Sequence, residues 1–125
     1  MARKTQFIRV KNSTGRTIQK GAVTHATEDH GIQTIALDDL EDGAYSDTIE
    51  MYSGWMNRDY WWITWSNDGL NFVAFNDTNP IHEHETVETP GTVELIGTLS
   101  NENLAVDFHT DRGKKDHFKI KNPWD

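Results

Sequence analysis

The segment His82–Glu85 carries the side chains best suited to hold a metal ion. In an extended chain alternate side chains point the same way, so His82 and His84 would lie together. Two imidazoles at that spacing can share a Zn²⁺ ion, with His25, His30 or a carboxylate completing the shell. A solvated polar loop explains the same residues, because the segment has no defined further ligand. We expect no resident cofactor and keep His82, His84 and His25 as candidate zinc ligands.

Two acidic turns offer oxygen ligands of the kind that Ca²⁺ prefers. One turn places four carboxylates before Gly43, and the other places two before Gly31; these are Asp38, Asp39, Glu41 and Asp42, and Glu28 and Asp29. Neither turn has the ordered spacing of an EF-hand. Because charged residues are common in turns, Ca²⁺ binding stays an alternative.

The sequence lacks the common catalytic motifs. It has no Gly-x-Ser-x-Gly elbow and no Gly-rich phosphate loop before a helix. It has no cysteine, which excludes disulfides, thiolate metal sites and cysteine nucleophiles. The carboxylates of Asp47 and Glu50 have the spacing of ordinary strand-end residues. We expect a protein that is not an enzyme, with a metal-dependent His/carboxylate enzyme as the third alternative.

The strongest strand signal is the aromatic run at residues 59–66, whose side chains favour the pleated state. Successive side chains of a strand point to opposite faces, so Trp61, Ile63 and Trp65 share one face. These three side chains are uniformly apolar. We therefore predict that they belong to the core.

The opposite face of the same strand holds Tyr60, Trp62 and Thr64, and Trp55 lies nearby in the chain. Internal packing of both faces would explain the aromatic rings, since large aromatics dominate ordinary cores. Alternatively, Tyr60, Trp62 and Trp55 form an exposed patch for a partner protein, a second subunit or a sugar. These three residues are the candidate binding residues.

The elements that would position these residues are short strands that alternate with turns, which is typical of a β-sandwich or barrel. Gly21 is a candidate bulge, and Asn67-Asp68-Gly69 is a candidate hairpin turn. We predict an all-β, antiparallel β-sandwich of nine or ten short strands. The predicted strands are Phe7–Lys11, Arg16–His25, Ile32–Leu37, Ala44–Tyr52, Asp59–Ser66, Leu70–Phe75, Thr92–Leu99, Asn103–His109 and Asp116–Lys121.

Length and charge limit the class of protein further. The 125 residues fit one domain spanning positions 1–125. Twelve basic and 20 acidic residues give a net charge of −8, which opposes binding to nucleic acid. The sequence has no apolar run long enough to span a membrane, and we do not expect the basic start at residues 1–10 to be a secretory signal, because no apolar stretch follows it. We expect a soluble, acidic, cytoplasmic protein, with an extracellular protein after leader removal as the alternative.

A set of residues spread over the first two-thirds of the chain resembles the "up-regulated in daf-2" domain family. Its most specific element is the run Asp59–Trp65; the others are Val10-Lys11-Asn12, Thr14-Gly15-Arg16, Ile18, Val23, His25, Gly43, Tyr45-Ser46, Tyr52 and Gly54. The chain departs from the family pattern at residues 26–29 and 79–82. The resemblance implies a small β-sandwich without established enzymatic activity, whose members pair with one another, and it offers no catalytic residues.

These observations lead to one expected function and one main alternative. We expect a non-catalytic interaction module that self-associates or binds a protein partner through an aromatic sheet face, as a homo- or hetero-dimer. The alternative is a domain that binds a glycan or lipid headgroup, with or without the help of Ca²⁺.

Overall fold

The structure, a computed structural model, describes residues 4–27, 31–53, 59–77, 91–100, 104–109 and 115–116. These residues form nine strands and contain no helix, which confirms the expected all-β class. No helix that could cross a membrane occurs in this part of the chain. In order the strands are β1 (Lys4–Ser13), β2 (Lys20–Thr27), β3 (Gly31–Ala36), β4 (Ile49–Ser53), β5 (Asp59–Ser66), β6 (Val73–Asp77), β7 (Gly91–Ile96), β8 (Ala105–His109) and β9 (Lys115–Asp116).

The strands form two sheets. The five-stranded sheet has the order β4-β1-β7-β8-β9, and the four-stranded sheet has the order β3-β2-β5-β6. Every neighbouring pair is antiparallel except β1 and β7, which run parallel. The prediction of wholly antiparallel pairing is therefore wrong at this pair. Five strands intervene in the chain, so β7 returns beside β1 by a long crossover, and only hairpin neighbours must be antiparallel.

The connection from β5 to β6 is longer than the predicted hairpin turn. The Asp68 carboxylate accepts hydrogen bonds from the backbone N–H groups of Leu70 (2.8 Å) and Asn71 (2.7 Å). These donors are therefore not used in a strand ladder, and β6 begins at Val73 instead of Leu70. Gly69 adopts a φ of 79°, as the turn prediction required.

The predicted bulge at Gly21 does not occur. The β2–β5 register is continuous, with Lys20 opposite Ser66 and Gly21 opposite Trp65. A Cβ atom on Gly21 would lie 2.6 Å from the backbone carbonyl oxygen of Thr64. Glycine is needed here because the backbones of β2 and β5 approach closely. A glycine within a strand marks either a bulge or such a close approach.

Both sheets contribute to one hydrophobic core. Trp61, Ile63 and Trp65 are each at most 2% exposed, which confirms the predicted core face of β5. The ring of Trp65 stacks on Phe75 with centroids 5.5 Å apart. Their partners from the five-stranded sheet are Ile8, Val10, Met51, Val93, Leu95 and Val106. Because this packing fixes the inner side of β5, the alternate side chains of the strand must point outward.

Candidate functional site

The outer side of β5 presents Tyr60, Trp62 and Thr64. Trp62 keeps 48% of its surface exposed, while Tyr60 and Thr64 are half-buried. The Tyr60 and Trp62 rings lie 6.2 Å apart at an angle of 18° between their planes. Two residues apart on a strand, they are neighbours on the same face and form an aromatic ridge along β5.

The neighbouring strands place uncharged side chains beside this ridge. Thr24 of β2 and Asn76 of β6 flank Trp62 in register, and Thr34 of β3 lies beyond Thr24. The Thr24 and Thr34 hydroxyl groups hydrogen-bond to each other at 3.2 Å. We call this surface the neutral face, which consists of Ala22, Thr24, Ala26, Ile32, Thr34, Ala36, Tyr60, Trp62, Thr64, Ala74 and Asn76.

Large and small side chains are unevenly distributed over the neutral face. Ile32 is 71% exposed and stands near one end of the aromatic ridge, in the row that contains Ala26 and Tyr60. A row of small side chains crosses the sheet at the level of Thr64; these are Ala36, Ala22 and Ala74. The face therefore combines projecting rings with a shallow row beside them.

The outer side of the five-stranded sheet is built differently. We call it the charged face, and its residues are Arg9 and Lys11 of β1, Glu94 of β7 and Asp107 of β8. Lys11 lies opposite Glu94, which lies opposite Asp107, so this row carries one positive and two negative side chains. The Arg9 guanidinium sits 4.0 Å from the centroid of the Tyr45 ring. Charged side chains thus accompany the exposed aromatic ring of this face.

His25, one of the candidate zinc ligands, points inward and is 3% exposed. Its Nδ1 atom hydrogen-bonds with Gln33 Oε1 at 3.0 Å, and its ring lies 4.6 Å from that of Trp61. These contacts explain a buried polar ring without a metal. Within the ranges that the structure describes, no three His, Asp or Glu side chains are grouped so as to hold a metal ion. His82, His84 and His30 lie outside the described residues, as does Trp55.

The acidic turn before Gly43 makes a hydrogen bond to the turn between β1 and β2. Asp42 Oδ1 accepts a hydrogen bond from the backbone N–H of Gly15 at 2.9 Å, which ties this turn to the β1–β2 turn. Asp39 adopts a positive φ of 55°, a conformation that aspartate tolerates in turns. Glu28 and Asp29 lie outside the described residues.

A buried polar network was not anticipated from the sequence. The Asn12 side chain is fully buried, and its Nδ2 donates to the carbonyl oxygens of Arg16 and Leu40 at 2.8 Å each. Its Oδ1 accepts from the N–H and hydroxyl of Thr14. The Asn67 amide donates to the Thr14 hydroxyl at 3.0 Å, which connects the β1–β2 turn to the β5–β6 turn. The sequence signal for this network was Asn12 itself, a polar residue at a position of β1 where the alternation with Ile8 and Val10 predicts a buried side chain.

The Asp68 carboxylate organises the β5–β6 turn. Hydrogen bonds from the backbone N–H and side-chain amide of Asn71, and from the N–H of Leu70, hold the pKa of Asp68 well below its usual range. Ser66 Oγ donates a further hydrogen bond at 3.0 Å. Asp68 therefore remains negatively charged into the acid range.

Comparison of the sequence with models of protein families and with curated proteins finds no match. The resemblance to the "up-regulated in daf-2" domain family stays a prediction that rests on the residues quoted for it.

Proposed function

We propose that this chain is a non-catalytic interaction module that self-associates or binds a protein partner through the neutral face. The observation that carries the proposal is the exposed Trp62 ring beside the half-buried Tyr60, with the uncharged Thr24 and Asn76 next to Trp62 in register. The one charged side chain on the outer side of β2 in its described residues, Lys20, lies at the margin of this surface beyond Ala22. The chain as a whole has a net charge of −8. Charge depletion with tyrosine and tryptophan at the centre is the composition of protein interface cores.

The energetic argument depends on the exposed part of Trp62. Removing an indole ring from water is favourable in proportion to the apolar area buried, and its N–H group can keep a hydrogen bond at the edge of a contact. The flanking groups of Thr24 and Asn76 offer hydrogen bonds without the desolvation cost of a charge. A protein partner would therefore bury this face at a lower cost than the charged face.

We also infer that the two sheets pack face to face as an antiparallel-rich β-sandwich of nine or ten strands. The support is the single core drawn from both sheets, and the alternation of buried and outward side chains along β5. The proposed module needs no cofactor. The lack of cysteine suits a reducing compartment, so we place the protein in the cytoplasm as part of this proposal.

A glycan or lipid headgroup is the second candidate occupant of the neutral face. The hydroxyl pair of Thr24 and Thr34 and the amide of Asn76 lie beside the exposed Trp62 ring. Such groups could bond to sugar hydroxyls while the ring contacts the C–H face of the sugar. This candidate predicts retention on a polysaccharide matrix or a vesicle, and Ca²⁺ dependence would show that a cation assists.

The test compares Trp62→Ala with Leu70→Ala, which removes an exposed apolar side chain outside the neutral face. Sedimentation over a range of concentrations measures self-association, and immobilised protein measures capture of a partner. We expect Trp62→Ala to convert a dimer to a monomer or to abolish capture, and Leu70→Ala to leave both unchanged. A monomeric wild-type chain whose captured partners all survive Trp62→Ala would contradict the proposal.

A further inference from the structure

A cleft of about 350 Å³ opens where the β5–β6 turn meets the turn that follows β7. Its lining includes Arg16, Asp68, Asn71, Val73, Leu99 and Ser100. None of these residues belongs to the neutral face, so the cleft is a separate surface. Small-molecule sites in proteins have volumes of roughly 300–1,000 Å³, and this cleft suits one small ligand.

Hydrogen bonds hold the walls of the cleft in place. On one side, Asn67 Nδ2 donates to Thr14 Oγ1 at 3.0 Å and to the Thr17 carbonyl oxygen at 3.1 Å. On the other side, the Thr98 and Ser100 hydroxyl groups bond to each other at 2.8 Å. A ligand would therefore meet a surface that is already ordered, which lowers the entropic cost of binding.

The charges of the lining favour a neutral ligand. Arg16 and Asp68 carry opposite charges and offset each other. The Asp68 carboxylate already accepts hydrogen bonds from Ser66, Leu70 and Asn71, which leaves it little capacity for a cation. The net charge of −8 on the chain opposes an anion. The exposed Arg16 guanidinium remains available as a donor because its described contacts involve the backbone of Arg16.

The cleft also has an apolar side. Val73 is 2% exposed and forms part of the base, while Leu99 is 45% exposed. A neutral ligand with hydroxyl groups on its edge and C–H groups on its face matches this combination.

We propose that this cleft binds one neutral pyranose sugar, either a free monosaccharide or the terminal residue of a glycan. Arg16 and the Ser100 hydroxyl hydrogen-bond to sugar hydroxyls, and the exposed Leu99 side chain contacts the C–H face. The site is independent of the neutral face.

The test follows backbone amide signals by nuclear magnetic resonance during titration with glucose, galactose, mannose and N-acetylglucosamine. For a ligand of this size we expect a dissociation constant of about 1 mM. Amides at residues 67–71 and 98–100 should shift, while those of Thr24 and Trp62 on the neutral face should not. A free monosaccharide and an oligosaccharide that ends in the same sugar are compared by their dissociation constants. This comparison shows whether the cleft prefers a free sugar or the terminal residue of a glycan.

Arg16→Met and Ser100→Ala should each weaken binding roughly tenfold, and Lys11→Met on the charged face should leave it unchanged. Thermal unfolding checks that each variant folds. The proposal is overturned if no sugar shifts the cleft amides at roughly tenfold excess over the expected constant. It is equally overturned if inorganic phosphate shifts them and the sugars do not. Neither result affects the Trp62→Ala test, which reports on the neutral face alone.

Discussion

The outer sides of the two sheets have the same pleated geometry and opposite chemistry. The charged face carries both acidic and basic residues, and the centroid of its Tyr45 ring lies 4.0 Å from the Arg9 guanidinium. The neutral face leaves Trp62 48% exposed with no charged residue beside it in register. Exposed apolar surface rimmed by polar residues is typical of interaction sites, and the neutral face has this composition. This difference is the basis of our proposal that the neutral face makes a functional contact.

The largest expected effect separates the inner side of β5 from its neutral outer side. Trp65→Ala should cost about 3–5 kcal/mol of unfolding free energy, because it leaves a cavity in the core beside Phe75. Trp62→Ala should cost less than about 1 kcal/mol, as is usual for a surface site. Urea denaturation of both variants measures the difference. Equal losses would show that Trp62 belongs to the packing that holds the fold.

The core side of β5 was predictable from the sequence, because strict alternation places Trp61, Ile63 and Trp65 on one uniformly apolar face. Whether the opposite face was exposed or also packed inside was left open. The limits of β5, residues 59–66, were also predicted correctly. The pairing of Trp62 with Thr24 and Asn76 was not predicted, since register between strands distant in the chain depends on tertiary packing. The role of Gly21 was misread because a bulge and a close backbone approach both select glycine.

The hydrogen-bond partners of Asn12 and the cleft could not have been predicted from the sequence either. Asn12 is satisfied by the carbonyl oxygens of Arg16 and Leu40, and Leu40 lies on a distant turn. The cleft brings together turns that follow β5 and β7. Sequence patterns reveal the regular alternation of side chains within one strand. The Asn12 network and the cleft instead join residues from separate turns, which leave no repeating pattern in the sequence.

The next largest effect concerns a charge placed on either outer side. Thr34→Glu on the neutral face and Lys11→Gln on the charged face each make the net charge one unit more negative. We expect Thr34→Glu to weaken association by about 2 kcal/mol or more, roughly thirtyfold in the dissociation constant, because a carboxylate must be desolvated there. Lys11→Gln should change association less than twofold. Equal weakening, measured by sedimentation, would mean that net charge and not the neutral face controls association.

A smaller effect is expected from salt. Raising the salt concentration from about 0.01 M to about 1 M shortens the screening length from roughly 30 Å to roughly 3 Å. Two copies of net charge −8 then repel each other less, while the apolar contact through the neutral face remains. Self-association should therefore strengthen with salt. If sedimentation shows dissociation as salt rises, ion pairs of the charged face hold the contact instead.

The smallest effect involves Asp68, which lies on neither outer side. Its pKa is lowered in the folded state by hydrogen bonds from Asn71 and Leu70, so its stabilising contribution is present above the unfolded pKa of about 3.9. That contribution should be lost as the pH falls below this value. The urea midpoint should decrease between neutral and acid pH, and this decrease should be smaller for Asp68→Asn than for the wild-type chain. An identical fall would show that the turn does not depend on this charge.

The central claim is that the neutral face, and not the charged face, is the binding surface. Because the chain has no cysteine, single thiols can be placed on the two faces as Thr34→Cys and Lys11→Cys and their alkylation rates compared. We predict that alkylation of Thr34→Cys slows as protein concentration rises or a captured partner is added, while alkylation of Lys11→Cys stays constant. Equal rates under every condition, or selective slowing of Lys11→Cys, would contradict the claim.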